Sequence, residues 1–171
     1  SASRIITDPQ ATTPAATPDP IPTVVGGPAV VEVVERRDVL TGLDAPWDME
    51  VAADGSVLVS ERDTGVIRRV RAGVATALNG PGAEALRASV DNAGEGGLLG
   101  IALLRTESEV FLYAYLTRED DNAVLRMTLQ QDLLGQPTAI LEGMPKAANH
   151  DGGRIAFGPD GNLYVADLQY F

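Results

Sequence analysis

From residue 46 onward, short apolar runs alternate with turn-forming residues along the chain. Runs of this length, rich in β-branched residues and bounded by Gly and Asp, indicate strands joined by tight turns. The pair Asp54-Gly55 and the triplet Asp63-Thr64-Gly65 lie in the first two gaps. The pattern therefore predicts a four-stranded antiparallel sheet, with its strands at 47–51, 56–60, 66–70 and 74–78.

The same four-strand pattern returns further along the chain and begins a third time. The second set covers 98–104, 110–116, 123–129 and 138–141, and the third begins with 155–157 and 163–166. A further strand is predicted over 30–39, ahead of the first set. The segment 79–92 is predicted to be a loop with one helical turn at 83–86. No stretch has the sustained period of a long helix.

An internal repeat connects the three sets. Asp54-Gly55 and Asp160-Gly161 each stand between two strands in a similar sequence frame. Glu107 lies midway between them, in the matching turn of the second set. A repeat of about 50 residues with four strands per unit is typical of a β-propeller. We therefore predict an all-β fold of about two to three blades, an incomplete propeller, because propellers close with roughly four to eight blades.

The first 28 residues differ in composition from the rest. They contain six of the eleven prolines, among Thr, Ala and Asp residues, so they cannot bury enough apolar surface to offset the entropy of ordering. We predict a disordered tether over residues 1–28 and the propeller portion over 29–171. A Pro/Thr/Ala-rich segment is typical of spacers that follow export signals, which favours an exported location: periplasmic, extracellular or tethered to the cell envelope.

Charge and cysteine content exclude several classes of function. With 13 basic and 24 acidic residues the net charge is −11, whereas nucleic acids and anionic membrane surfaces bind proteins with a basic footprint. The chain has no cysteine, which excludes disulfides, thiol catalysis and thiolate metal sites. It also has no apolar run long enough to span a bilayer. Neither a nucleic-acid partner nor a transmembrane segment is therefore expected.

Three stretches carry the residues that could take part in chemistry. They are residues 43–50, the glycine-rich segment 94–100 that holds Glu95, and 149–154, which contains the only histidine, His150. Imidazole is the side chain whose ordinary pKa allows proton transfer near neutrality. Each stretch also has a purely structural interpretation: a packed tryptophan, a tight turn between blades, and a hydrogen-bonded histidine.

Taken together, these motifs resemble the glucose/sorbosone dehydrogenase family, whose members are soluble quinoproteins that use pyrroloquinoline quinone on a six-bladed propeller. The resemblance covers about residues 40 to 165, and the histidine motif is similar to that of the aldose sugar dehydrogenase branch. The matching elements are Pro46-Trp47-Asp48-Met49, Asp54-Gly55, Glu61-Arg62, Gly94-Glu95-Gly96-Gly97-Leu98-Leu99-Gly100 and Asn149-His150-Asp151-Gly152-Gly153-Arg154.

The resemblance implies an oxidoreductase that oxidises the C1 hydroxyl of an aldose and passes hydride to pyrroloquinoline quinone. It implies that His150 is the general base, that Glu95 and Asn149 bind the sugar, and that Arg154 holds the turn. Loss of hydride from an alcohol is easier when a base takes the hydroxyl proton and a cofactor accepts the electrons. Calcium and an external electron acceptor are also implied. The family's quinone-clamping and calcium-binding residues have no counterpart in this chain.

Two alternatives remain open at this point. The chain could be a non-catalytic propeller module that binds a protein or a glycan, or a metal-dependent sugar-lactone hydrolase on a related propeller. Gln169 stands where the family has an acidic site residue, a departure from the family pattern. Because the chain has too few blades to close a propeller, we expect an N-terminal portion that is incomplete for activity on its own. An unclosed propeller also exposes sheet faces and edges, which predicts self-association.

Overall fold

The computed structural model describes residues 2–6, 33–147, 149 and 152–167, with residues 2–6 and 167 described by their backbone. Nearly all of the regular structure in this part of the chain is β-sheet, which confirms the all-β prediction. The elements are β1 (Ala2–Ile6), β2 (Pro46–Val51), β3 (Val57–Glu61), β4 (Val66–Arg71), β5 (Val74–Ala77), α1 (Pro81–Ser89), β6 (Leu98–Arg105), β7 (Val110–Thr117), β8 (Asn122–Gln130), β9 (Leu133–Leu134), β10 (Thr138–Met144), β11 (Arg154–Phe157) and β12 (Leu163–Asp167).

The strands form three antiparallel sheets, which we call blades 1, 2 and 3. Blade 1 has the order β2-β3-β4-β5, and blade 2 has the order β6-β7-β8-β10, with the short β9 paired to β8. Blade 3 has the order β11-β12-β1. Consecutive strands of blades 1 and 2 lie side by side, which is the up-and-down arrangement of a propeller blade. The prediction of two to three blades of an incomplete propeller is confirmed.

Two hydrophobic cores lie between the blades, one on each face of blade 2. The strand β7 demonstrates this arrangement, because its side chains alternate strictly between the two cores. Phe111, Tyr113 and Tyr115 pack in the core shared with blade 3, and Leu112, Ala114 and Leu116 pack in the core shared with blade 1. A sheet covered on both faces needs apolar residues at nearly every position, which explains the continuous apolar runs of β6 and β7.

Truncating Leu112 to alanine is expected to lower the free energy of unfolding by about 2–4 kcal/mol, because its side chain is fully buried between blades 1 and 2. Val39→Ala, at an exposed position, is the control and should change it by less than about 0.5 kcal/mol. Urea unfolding followed by circular dichroism measures both. Equal effects of the two substitutions would contradict the assignment of Leu112 to a core between blades.

The helix α1 is longer than the single turn predicted at 83–86. Pro81 stands in its first turn, where the missing N–H removes no helical hydrogen bond. Ala83 and Leu86 are buried in the core between blades 1 and 2. Packing of one helix face, which the local pattern does not reveal, therefore extends this helix.

A membrane-spanning helix is absent from the part of the chain that the structure describes.

The strand predicted over 30–39 is wrong for the described residues 33–39. These residues form no strand, and Val33, Val34 and Val39 are exposed. The apolar alternation is broken there by two arginines, and a strand also needs a neighbouring edge that offers hydrogen bonds.

Conversely, Ala2–Ile6 forms the strand β1 inside the predicted tether and pairs with β12 in antiparallel register. The edge of β12 supplies the hydrogen-bonding partner, which a polar and proline-rich composition does not reveal. Residues 7–28, the rest of the predicted tether, lie outside the described residues.

Candidate functional site

The loops that lead into β2, β6 and β11, the first strands of the three blades, lie at one end of the blades. Arg62 N–H donates to Ala45 O at 3.0 Å, and Leu98 N–H donates to Arg62 O at 2.9 Å. Lys146 Nζ joins the loop before β11 to blade 2 by donating to Arg118 O at 3.0 Å. We call this end the loop face, formed among the described residues by 44–46, 61–64, 91–97, 117–121, 145–147, 149 and 152–153.

The loop face holds two of the three site residues that the sequence predicts. Glu95 is exposed on the loop before β6, and Asn149 is exposed on the loop before β11. These two loops are neighbours, because Gly100 N–H donates to Gly153 O at 2.9 Å where β6 and β11 meet. The third predicted site residue, His150, lies outside the described residues.

Two motif glycines allow the first strands of blades 2 and 3 to approach this closely. A Cβ on Gly100 would lie 2.2 Å from Gly153 O, far inside van der Waals contact. Gly153 has a φ of +95°, which residues with a side chain rarely adopt, and a Cβ there would lie 2.5 Å from Leu99 Cδ1. These glycines therefore have a structural role: they bring the Glu95 loop and the Asn149 loop together.

A group of three side chains joins the blades at the start of their first strands. The Arg154 guanidinium of β11 forms an ion pair with Asp48 of β2. It also lies over the ring of Trp47, with its central carbon 4.6 Å from the ring centroid. The second carboxylate oxygen of Asp48 accepts a hydrogen bond from Ile101 N–H of β6 at 3.1 Å. We call Trp47, Asp48 and Arg154 the three-blade cluster. All three lie in the sequence motifs, which predict a packed tryptophan and an arginine that holds its turn but no role for Asp48.

A buried carboxylate holds the loop that precedes β2. Glu61 is fully buried, and it accepts hydrogen bonds from Arg68 Nε at 2.7 Å, Asp44 N–H at 3.0 Å and Thr64 Oγ1 at 3.2 Å. Burial alone would raise the pKa of Glu61, but these donors bring it below the ordinary value. A carboxylate held in this way stays ionised near neutrality, which indicates a structural role.

The basic side chains described on the loop face form ion pairs with carboxylates of the chain itself. The hydrogen bond from Lys146 lowers the pKa of Asp91, and that from Arg118 lowers the pKa of Asp121. The nitrogen–oxygen distances are 2.5 Å for Lys146–Asp91, 2.6 Å for Arg62–Asp63 and 2.7 Å for Arg118–Asp121. Together with Arg154–Asp48, these pairs neutralise the positive charge of the described loop face.

The ion pairs of the loop face determine whether the described residues could bind the cofactors that the family resemblance implies. Pyrroloquinoline quinone is a polycarboxylate, and a protein clamps such an anion with cations that are free to pair with it. The cations of the described loop face are already paired, so these residues do not form that clamp. Within the described ranges, no three His, Asp or Glu side chains are grouped so that they could hold a metal ion such as calcium.

Glu50, which lies close to the three-blade cluster, makes the stability of the fold depend on pH. Its carboxyl lies on β2 two residues beyond Asp48. Burial, and then the negative charge of Asp48, raise the pKa of Glu50 above its ordinary value. A carboxyl whose pKa is raised by folding stabilises the fold below its unfolded pKa, and this stability is lost as the pH rises through its folded pKa.

Glu50→Gln is therefore expected to raise the melting temperature at about pH 7 and to change it little at about pH 4, where the carboxyl is largely protonated. Differential scanning calorimetry at the two pH values measures the difference. Glu107→Gln, in an exposed turn, is the control and should have a small effect at both. A Glu50→Gln effect of the same size at both pH values would be inconsistent with a raised pKa.

Comparison with solved structures defines the class of protein. The PQQ-bound aldose sugar dehydrogenase from Streptomyces coelicolor superposes with a TM-score of 0.68 at 42% identity, over 75% of this chain and 39% of that chain. A solved glucose dehydrogenase superposes with a TM-score of 0.56 at 28% identity, over 74% of this chain and 39% of that chain. The fold is therefore that of the propeller-type sugar dehydrogenases.

Sequence comparison agrees with this class. The family model for Glucose / Sorbosone dehydrogenase matches residues 43–167. Quinoprotein glucose dehydrogenase B of Acinetobacter calcoaceticus is 27% identical over 150 residues, which cover 78% of this chain and 30% of that protein. The chain belongs to the glucose/sorbosone dehydrogenase family, as its motifs predict. It spans 30% to 39% of the length of these relatives.

Proposed function

We propose that the chain forms part of an enzyme that oxidises an aldose at its C1 hydroxyl, with pyrroloquinoline quinone as the hydride acceptor. The observation that carries this proposal is the meeting of the Glu95 and Asn149 loops on the loop face, joined by the hydrogen bond between Gly100 and Gly153. The names of the relatives support the substrate class, because they are aldose and glucose dehydrogenases, one of them with the quinone bound.

In this proposal His150 acts as the general base. It removes the proton of the C1 hydroxyl, so that negative charge develops on the oxygen while the carbon loses its hydride, and the sugar leaves as a lactone. When bound, the quinone supplies the two-electron sink for that hydride. The position of His150 in the motif supports this role, since it directly follows Asn149 in the sequence.

Glu95 and Asn149 are proposed to bind the sugar. A carboxylate accepts hydrogen bonds from sugar hydroxyls, and an amide both donates and accepts them, so the two side chains together can fix the orientation of the ring. Both are exposed on adjoining loops, where a small polar ligand can reach them.

Three further features belong to the proposal. Calcium would be bound by residues other than those described, as would the carboxylates of the quinone. An external acceptor would reoxidise the reduced cofactor. An exported protein is proposed because the Pro/Thr/Ala-rich residues 1–28 are typical of a spacer that follows an export signal.

The proposal is tested on the protein purified from its native source, stripped of cofactor and then supplied with the quinone and calcium. We expect reduction of an artificial electron acceptor by aldoses only when the quinone is present. A methyl glycoside of the same sugar is the matched control, because it has no free C1 hydroxyl and should be inert. Lactone hydrolysis that chelators abolish and the quinone does not affect would favour the hydrolase alternative. Absence of both activities would favour the binding module.

A further inference from the structure

We propose that Asp48 and Arg154 are positioning residues that hold the Asn149 loop against blades 1 and 2. Their importance for catalysis rests on the proposed function, whereas their effect on the loop can be measured without it. The loop passes from Lys146 at its start to Arg154 at its end, and both cations pair with carboxylates of earlier blades. The segment between them is therefore anchored at both ends.

Asp48 is the centre of this anchor because it contacts all three blades. One carboxylate oxygen binds Arg154 of blade 3, and the other accepts from Ile101 N–H of blade 2 at 3.1 Å. Its own N–H donates to Ser60 Oγ at 3.1 Å, and Ser60 Oγ in turn donates to Leu99 O at 2.7 Å. The carboxylate is thus held in place by blades 1 and 2 before it binds Arg154.

Arg154 links the Asp48 carboxylate to the Asn149 loop and so restricts where that loop can lie. Its side chain is 60% exposed, whereas that of Asp48 is only 11% exposed, so the carboxylate is the shielded partner of the ion pair. The flat guanidinium lies over the Trp47 ring while it binds Asp48, which restricts its orientation as well as its position. The residue next to it is Gly153, whose carbonyl accepts the hydrogen bond from Gly100.

The consequence for the reaction is geometric. Residues that bind and deprotonate a substrate must be held to within about half an ångström of their productive positions, usually by neighbouring side chains that do not touch the substrate. Asp48 and Arg154 meet this description for the loop that carries Asn149 and His150. Lysine cannot replace Arg154 fully, because an ammonium has neither the flat face nor the forked donors of a guanidinium.

The test compares Asp48→Asn and Arg154→Lys with Asp132→Asn. Asp48→Asn can still accept from Ile101 N–H but loses the ion pair, and Arg154→Lys alters an exposed side chain that should not prevent folding. Asp132 pairs with Arg69 and Arg71 between blades 1 and 2 at the other end of the sheets, so it is a matched control for loss of an ion pair between blades.

Two readouts do not require sugar or quinone. Amide hydrogen exchange should become about three- to tenfold faster at Gly100 and Gly153 in both test variants, with no change at Tyr113 in the core. The part of the tryptophan fluorescence that Trp47→Phe removes should report the loss of the stacked guanidinium in Arg154→Lys. Asp132→Asn should leave both signals unchanged. Unchanged exchange at Gly100 and Gly153, or equal acceleration throughout the chain, would overturn the proposal.

The third readout is kinetic. In the native enzyme with quinone bound, we expect Asp48→Asn and Arg154→Lys to lower kcat about tenfold and also to raise KM, because the loosened loop carries both the proposed base His150 and the proposed sugar ligand Asn149. Asp132→Asn should leave both constants unchanged. If no sugar is oxidised, the proposed function fails while the exchange and fluorescence results still decide the positioning role. A normal kcat in both variants, with exchange accelerated, would overturn the catalytic part of the inference.

Discussion

On the proposed mechanism, replacing His150 by alanine is expected to lower kcat of aldose oxidation by about 10²–10⁴-fold, because the C1 hydroxyl would lose its proposed proton acceptor in the transition state. KM should change far less, since the sugar would still bind to Glu95 and Asn149. Steady-state kinetics with an artificial acceptor, at saturating quinone, measures both constants.

Two controls make this prediction specific. Asn149→Ala, at the neighbouring position, should raise KM more than it lowers kcat, because it would remove the proposed sugar contact and leave the proposed base intact. Added imidazole should restore part of the rate to His150→Ala by entering the space of the missing side chain. A His150→Ala enzyme with normal kcat would rule out the general-base role and favour a non-catalytic function for this face.

Gly100→Ala is expected to cost about 3 kcal/mol of unfolding free energy, the upper end of the usual range for overpacking. The added methyl would lie 2.2 Å from Gly153 O and 3.0 Å from Ile155 N, and both are backbone atoms that cannot turn away. The strands β6 and β11 would have to separate, and the hydrogen bond from Gly100 to Gly153 would be lost. Chemical denaturation gives the stability, and exchange of the residue 100 amide, the donor to Gly153 O, gives the local effect.

Gly161→Ala is the matched control for this substitution. Gly161 has a φ of +77° and open space around its Cβ position, so alanine there meets conformational strain without a clash. The expected cost is about 1 kcal/mol, with no effect on exchange of the Gly100 amide. Equal costs at the two positions would mean that close approach of β6 and β11 is not what requires glycine at residue 100.

Much of the fold is predictable because each blade is a local unit. Strands β2 to β5 and β6 to β8 pair with their sequence neighbours, so alternating apolar residues and Gly-containing turns suffice to locate them. The full length of the helix α1 is not predictable locally, because Pro81 and Gly82 favour a loop, whereas the helix is stabilised by burial of Leu86 between blades. The pairing of β1 with β12 joins distant parts of the chain, which local patterns do not encode.

The candidate site is predictable only in part, because it too depends on contacts between distant parts of the chain. The motifs identify Glu95 and Asn149 through their resemblance to a family, and the structure brings their loops together. The motifs contain Asp48, but its role is not predictable from them, because its partners Ile101 and Arg154 are 53 and 106 residues away in sequence. Its role depends on three strands from different blades meeting at one point.

The most direct test of the central claim is the titration of His150, the only histidine in the chain. Its imidazole signals, identified in NMR spectra by their loss in His150→Ala, report its pKa. The account predicts that this pKa coincides with the rising limb of the pH profile of kcat/KM for aldose oxidation, because the free enzyme must hold the base unprotonated. A measured pKa more than about one unit from the midpoint of that limb would contradict the account. So would a kcat/KM that does not change with pH around the measured pKa.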